Sequence, residues 1–393
     1  MRSSTTELSI AVVGAGIAGL SVAAFLARAG YPCTVYEQAV ELTEVGAGIQ
    51  VSPNGSVLLH RIGLAGHLAD AALRPEAIEQ RSWHGGLVAR TAPGTTYGAP
   101  YYTLHRARLH AGLLGAAGPV LMRKRCTGIR EHRDRVELRF ADSSTAEADL
   151  VVGADGLHSS VRRALVADEP RDSGLTVHRG LIAVPAEPTV TVWYGPGAHV
   201  VRYPIPGGLV NVVAVLGADA DPTFAAWPAP VRALVARLDP TTRAPLYDRP
   251  PLARWHTDRI VLVGDAAHPL LPLGAQGASQ AIEDAAALAA CLRRWGAGEV
   301  PRALRRYERV RMPRLAQLAT MVRDNTANHH LPDGTAQRMR DAAWRRAAAS
   351  PTRSWLHGYD AERVVLGPAT ATTATSPIPG RRQESQHRDG RRG

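Results

Sequence analysis

The chain is predicted to be an α/β protein built on a parallel sheet, with an antiparallel-sheet lobe inserted and helices near its C-terminal end. Three observations predict this. Residues 8–37 read as strand, glycine turn, helix and second strand. Apolar strand-like runs return at 149–153 and 259–264, each leading into a short motif containing glycine and aspartate. Between them, 180–217 turns rich in Val, Tyr, Trp, Pro and Gly with period-two alternation, the pattern of antiparallel strands.

In the first unit, 8–13 is apolar and short enough for a buried parallel strand. Gly14, Gly16 and Gly19 follow as G-x-G-x-x-G. Such glycines permit a tight turn, close approach of backbone to a pyrophosphate, and close packing of helix on strand. The next helix, 18–29, aims its free N–H groups and positive dipole end at the phosphates. Gly30 suits its C-terminus and Pro32 prevents continuation. A second strand covers 34–36, and Glu37 at its end can accept hydrogen bonds from a ribose diol. The uncharged run 8–27 also has the composition of a membrane span or signal peptide, but three glycines at this spacing weaken a spanning helix.

The remaining elements follow in order. A second glycine-rich stretch, 45–55, precedes helical sequence to about residue 73. Residues 83–102 mix strand and turn signals, and 103–110 is expected to open a helix. Strands are expected at 120–123 and 136–140, and in the later lobe at 189–193 and 200–203. A strong helix follows Gly277, and 299–349 is expected to be helical with breaks at Pro313 and around 329–334. The polar stretch 368–393 is expected to be disordered.

Composition narrows the function classes. With 393 residues, 45% hydrophobic, the chain has material for two lobes. Cys33, Cys126 and Cys291 are odd in number and fit no metal-ligand spacing, which argues for a reducing, cytoplasmic setting and against a metal site. The net charge of +11 is diffuse: Lys124 is the only lysine, and the arginines are scattered among acids or gathered in the last residues. That pattern argues against a nucleic-acid or membrane partner.

Three motifs then agree: GAGIAG at Gly14 to Gly19, GADG at Gly153 to Gly156 followed by Ser159, Val161 and Arg162, and GDAAHP at Gly264 to Pro269. In this order they make the sequence, over about residues 8–360, resemble the single-component FAD-dependent aromatic hydroxylases of the para-hydroxybenzoate hydroxylase fold. It is similar in particular to the salicylate, 3-hydroxybenzoate and 6-hydroxynicotinate monooxygenase subgroup. The resemblance implies a Rossmann-like FAD-binding domain assembled from 1–73, 103–175 and 256–300. It implies a substrate domain from 74–102 and 176–255, and a C-terminal helical region over 301–367.

The resemblance also implies roles. Gly14, Gly16, Gly19 and Glu37 would hold the ADP half of FAD, Arg106 and Asp155 would contact the cofactor, and Asp265 would hydrogen-bond the ribityl chain. The usual acid two residues after the arginine is Arg108 here. His268 and Pro269 would border the flavin, and the helix starting at Gly277 and Ala278 would aim its dipole at the ring's N1/C2 edge. Read singly, Asp155 and Asp265 could instead cap turns and Arg162 could be a helix-surface charge.

In the inserted lobe, His199, Val201 and Tyr203 share one face of a strand. Relatives carry a similar His-x-x-x-Tyr pattern. Histidine suits a base for a phenolic proton near neutral pH, and tyrosine can relay that proton or hold the phenolate. Gln50 matches a position near the ring in the family, and Asn211, with Tyr101 or Tyr102, is a further pocket candidate. Residues 355–360, WLHGYD, resemble a C-terminal signature of the subgroup, with packing as the expected role.

The implied activity is hydroxylation of a small phenolic or aromatic acid through a flavin C4a-hydroperoxide, with NADH or NADPH and O2 as cosubstrates. Loss of a ring carboxylate as carbon dioxide, and a monomeric or homodimeric state, stay open. Three alternatives compete with this activity. A flavin halogenase lacks its Trp-x-Trp-x-x-Pro element here. An epoxidase or hydroxylase of a larger natural-product scaffold, and a non-catalytic flavin-binding sensor, remain.

Overall fold

The computed structural model describes residues 8–42, 47–93, 97–348 and 354–367; the start of the second glycine-rich stretch and the 368–393 tail lie outside them. A five-stranded parallel sheet runs in the order Ile260–Leu262, Leu150–Gly153, Ile10–Val13, Cys33–Tyr36, Val120–Leu121. Three neighbouring strands, Ile260–Leu262, Leu150–Gly153 and Ile10–Val13, are buried throughout, as their unbroken apolar sequences require, and Cys33–Tyr36 buries only Val35. Each motif of the sequence therefore leaves the C-terminal end of a neighbouring strand, the edge where parallel α/β sheets bind ligands.

The helix Ile17–Arg28 packs on this sheet with Ile17 and Gly19–Leu26 buried. Gly14 is at φ +102° and its N–H donates to Tyr36 O at 2.8 Å, which closes the turn. A Cβ on Gly19 would fall 1.8 Å from Gly14 O, so helix and turn can approach this closely only without one. The helix Gly277–Trp295 lies on the same side, buried from Ser279 to Leu292.

A seven-stranded sheet forms the inserted lobe, in the order Arg243–Asp248, Arg171–Ala183, Leu209–Gly217, Ala198–Ile205, Thr189–Gly195, Ala77–Ser82, Leu87–Thr91. It is antiparallel except where Thr189–Gly195 runs parallel to Ala77–Ser82. One face is covered by the apolar cluster of Trp193, Val200, Phe224, Trp227 and Val231. On the other side, Leu175, Val177 and Val215 pack with Leu273 and Val322, tying the lobe to the long helix Val300–His329.

Two expected elements differ. Residues 103–105 belong to the strand Tyr102–His105, and the helix starts at Arg106 with the His105 ring accepting the Ala107 N–H. Pairing with Gly48–Val51 wins over helix extension there. The helix Val300–His329 passes through Pro313 unbroken, at an intrinsic cost of about 3 kcal/mol. Buried Arg311, Arg314, Leu315 and Leu318 anchor both sides of the proline and offset it. The break at 330–334 occurs where expected.

Candidate active site

A cavity of about 650 Å³ opens where the parallel sheet meets the lobe. One wall comes from the sequence motifs: Gly16, Ala154, Gly156, Asp265, Gly277 and Ala278. An added Cβ on Gly16 or Gly277 would meet no protein atom within 4 Å, so both backbones face open space. The opposite wall is the lobe sheet, with Val177, Arg179, His199, Val201, Tyr203, Val213 and Val215. Gln50 and Arg106 join the two.

The helix Gly277–Trp295 starts at this cavity with no acidic residue in its first turn, so its positive dipole end faces the opening. Arg106 and Asp265 face each other across it. Burial and the neighbouring Arg179 lower the Arg106 pKa, against the pull of Asp265. Asp265 is exposed and lines the cavity, and the surrounding protein, by desolvation, raises its carboxyl pKa despite His268 and Arg106.

Beneath lies a buried charge network. Asp284 accepts from Gly264 N–H at 2.8 Å, pairs with His268 Nε2 at 2.6 Å, and accepts from Arg311 Nε at 2.7 Å. Burial pushes Asp284 up, but His268 and Arg311 prevail and hold it at about 2. Glu283 is paired with Arg311 and with Arg314 at 3.0 Å, and accepts from Asn54 Nδ2 at 2.6 Å. Arg314 also donates to Trp355 O and Leu356 O, and Tyr359 lies under its guanidinium at 4.3 Å. The 355–360 segment therefore packs, and Asp360 pairs with Arg61.

Several expected contacts sit elsewhere. Asp155 does not line the cavity: it accepts from Ser159, from Ser160 N–H at 2.6 Å and from Val161 N–H at 3.2 Å, so it caps its own turn. His268 is turned onto Asp284, and Leu270 and Pro272 border the cavity instead of His268 and Pro269. Gly14 and Gly19 shape the turn while Gly16 faces the space. Glu37 holds the turn itself, accepting from Ala15 N–H at 2.7 Å and Ala39 N–H at 2.8 Å.

Asn211 is fully buried behind Gly48, whose N–H it accepts at 2.7 Å, and is absent from the cavity wall. Its amide pins the strand carrying Gln50 to the lobe sheet. Arg162 is not a surface charge: it is fully buried, paired with Asp168, and donates to Ala266 O and Ala267 O. It binds the second motif to the third.

The lobe residues do share one wall, as strand alternation requires. His199 and Tyr203 stand four positions apart, about 13 Å along the strand. A direct relay between them is therefore excluded without something between, and each can grip one end of a bound ring. Tyr203 is buried, and burial and Tyr101 raise its pKa far above the usual range, with Arg179 and Gln50 opposing. Gln50 also accepts from Tyr101 Oη at 2.9 Å. Arg179 was missed by sequence reasoning, although its i, i+2 relation to Val177 could have found it. Among the described residues it forms no ion pair or hydrogen bond.

A family model described as an FAD binding domain matches residues 7–222 and 231–322. The chain is 45% identical to 3-amino-4-hydroxybenzoate 2-monooxygenase PtnB3 of Streptomyces platensis, over 92% of this chain and 98% of that one. It belongs to the FAD-dependent aromatic hydroxylases. This hydroxylase is also 34% identical to 6-hydroxynicotinate 3-monooxygenase of Bordetella bronchiseptica, over 91% of its own length and 97% of the relative's. Among solved structures, Klebsiella pneumoniae HpxO complexed with FAD and uric acid matches with a TM-score of 0.77 at 28% identity, over 92% and 96% of the two chains. A salicylate hydroxylase substrate complex matches equally at 25% identity, over 94% and 100%.

The residues present fit FAD. The two bare glycine backbones leave a groove into which an extended phosphate and a flat ring can settle, and Arg106, Asp265 and the helix N-terminus supply charge of both signs along it. Among the described residues no helix is long and apolar enough to cross a membrane, and no group of His, Cys, Asp or Glu is arranged to hold a metal.

Proposed function

We propose that this hydroxylase acts on a small phenolic acid of the aminohydroxybenzoate type, using NADH or NADPH as electron donor and O2 as oxygen source. The observation that carries the reading is the cavity itself: a base, a tyrosine and an unpaired arginine line one wall, directly opposite the groove that fits FAD. Bound and reduced, FAD supplies the activation of O2 and the transfer of one oxygen atom to an electron-rich ring carbon.

The chain's own residues do the rest. His199 Nε2 takes the phenolic proton, which makes the ring electron-rich. Burial first, then His329 and His330, keep the His199 pKa well below 6.5, so the ring is neutral and able to accept a proton at pH 7. Arg179 neutralises the substrate's anionic group, with no competing protein partner to displace. Gln50 and Tyr203 hold the far end of the ring by hydrogen bonds. Val177, Val201, Val213 and Val215 keep water from the reacting carbon.

Two features support this size of substrate. The spacing of His199 and Tyr203 suits a single aromatic ring between two side chains, and the names of the two monooxygenases given above are those of single-ring acids. On this reading residues 74–102 and 176–255 form the substrate domain, and Asp155, Glu37, His268 and Pro269 support the FAD site from behind. The experiment is NAD(P)H consumption by the purified protein against aminohydroxybenzoates, hydroxybenzoates and hydroxypyridine carboxylates, with product mass. The expected result is a phenolic acid that accelerates NAD(P)H oxidation and gains one oxygen. An FAD-loaded protein that none of them accelerates would reject the substrate class and favour a larger scaffold or a sensor.

A further inference from the structure

A buried base can act repeatedly only if its proton can leave. His199 is 2% exposed, and its Nδ1 lies 2.8 Å from Nε2 of His330, at the end of the long helix. His330 is half-buried and takes no part in the cavity lining, so its remaining exposure lies outside the cavity, at the end of the helix that packs on this face of the sheet. Its backbone is fixed there by Gly197 N–H, which donates to His330 O at 3.2 Å. With Nδ1 committed to His330, the nitrogen that His199 offers the cavity is Nε2.

We infer that His330 is the proton exit of this enzyme: it acts through His199 as a positioning and relay residue that carries the phenolic proton from the cavity wall to solvent. The step balances without a further reagent. The phenol O–H bond breaks and His199 Nε2 gains that proton. His199 Nδ1–H passes its proton to His330 Nε2, and His330 Nδ1–H releases one to water. The phenolate oxygen keeps the electron pair of the broken O–H bond. This rests on the reading of the substrate as a phenol.

The surroundings favour passage over storage. Facing His199 are Tyr194 from the adjacent strand at 6.4 Å between rings, His329 at 5.0 Å and His330 at 5.1 Å. From the opposite neighbouring strand only Val215 pairs with it. One layer out, Arg340 sits 5.6 Å over the Tyr194 ring and is paired with Asp341. No carboxylate is hydrogen-bonded to either ring of the pair among the described residues. An imidazolium there has nothing to trap it, and burial lowers the His330 pKa to about 4. A neutral pair with the hydrogen on His199 Nδ1 has its cavity-facing lone pair ready.

The test follows phenolate absorbance on mixing FAD-loaded enzyme with 3-amino-4-hydroxybenzoate in wild type, His330→Gln and His330→Ala. Glutamine keeps a hydrogen bond to His199 but cannot relay. Expected are a roughly tenfold or greater slowing of phenolate formation in both variants, unchanged FAD content and affinity, and recovery of His330→Ala by added imidazole. Equal rates in wild type and His330→Gln overturn the inference. So does a slow His330→Ala that imidazole does not restore, since that marks a packing contact. A proton inventory on the wild type is independent of variant folding: curvature from two protons in flight is expected, and strict linearity overturns the relay. If the wild type gives no phenolate signal with any phenol of the panel, the substrate reading has failed and the relay with it.

Discussion

Replacing Arg311 by methionine tests the buried network under the cofactor groove. Arg311 is fully buried and, with His268, holds Asp284 against burial, while Glu283 keeps a second partner in Arg314. Asp284 stands at about 2 against an ordinary 3.8. That difference contributes about 2 kcal/mol, present above pH 4 and lost as pH falls toward 2. Without Arg311, burial, the largest influence on this carboxyl, is opposed by His268 and the Gly264 N–H alone, and the folded carboxyl is expected above its unfolded value. The variant then carries a penalty that grows as pH rises from about 4 to 7. Together with the lost hydrogen bonds, the deficit at pH 7 should reach about 3–5 kcal/mol, a fall in Tm of roughly 5–15 °C. The assay is denaturant unfolding of the FAD-loaded protein at pH 7 and pH 5, with the smaller deficit expected at pH 5. A deficit under about 1 kcal/mol at pH 7, or one identical at both pH values, would refute the reasoning.

Further outcomes follow from the same geometry. Gly16→Val should fold with a Tm near wild type and lose most bound FAD, whereas Gly19→Ala, forced against Gly14 O, should fail to fold stably; flavin content and circular dichroism separate the two. Arg179→Met should raise KM for an aromatic acid about 10- to 100-fold, the loss of one charge-assisted contact, while leaving FAD content unchanged; an unaltered KM would remove Arg179 from the substrate site. His199→Gln should lower kcat about 100-fold with FAD retained. In the wild type the acid limb of kcat/KM should lie below pH 6.5, because His199 remains neutral there; a limb above pH 7 would mean that another group is the base.

Much of this protein is written locally. The glycines at 14, 16 and 19, the apolar runs before each motif and the alternation in the lobe act through turn geometry and periodicity, which depend only on nearby residues. They determined the parallel sheet, the inserted lobe and the common wall of His199 and Tyr203. The direction of side chains at a turn is different, because it depends on which unpaired N–H or charge lies nearest in space. Asp155, Glu37 and His268 therefore point at their own turn or at Asp284, and Asn211 at Gly48. Pro313 stays helical because buried arginines on both sides find Glu283 and Asp284 on a helix that precedes it by about thirty positions. Arg179 and His330 entered the site by the same route. An uncompensated charge and a ring at a helix end gain meaning only when tertiary packing brings strands and that helix end around one cavity, and no local pattern encodes that juxtaposition.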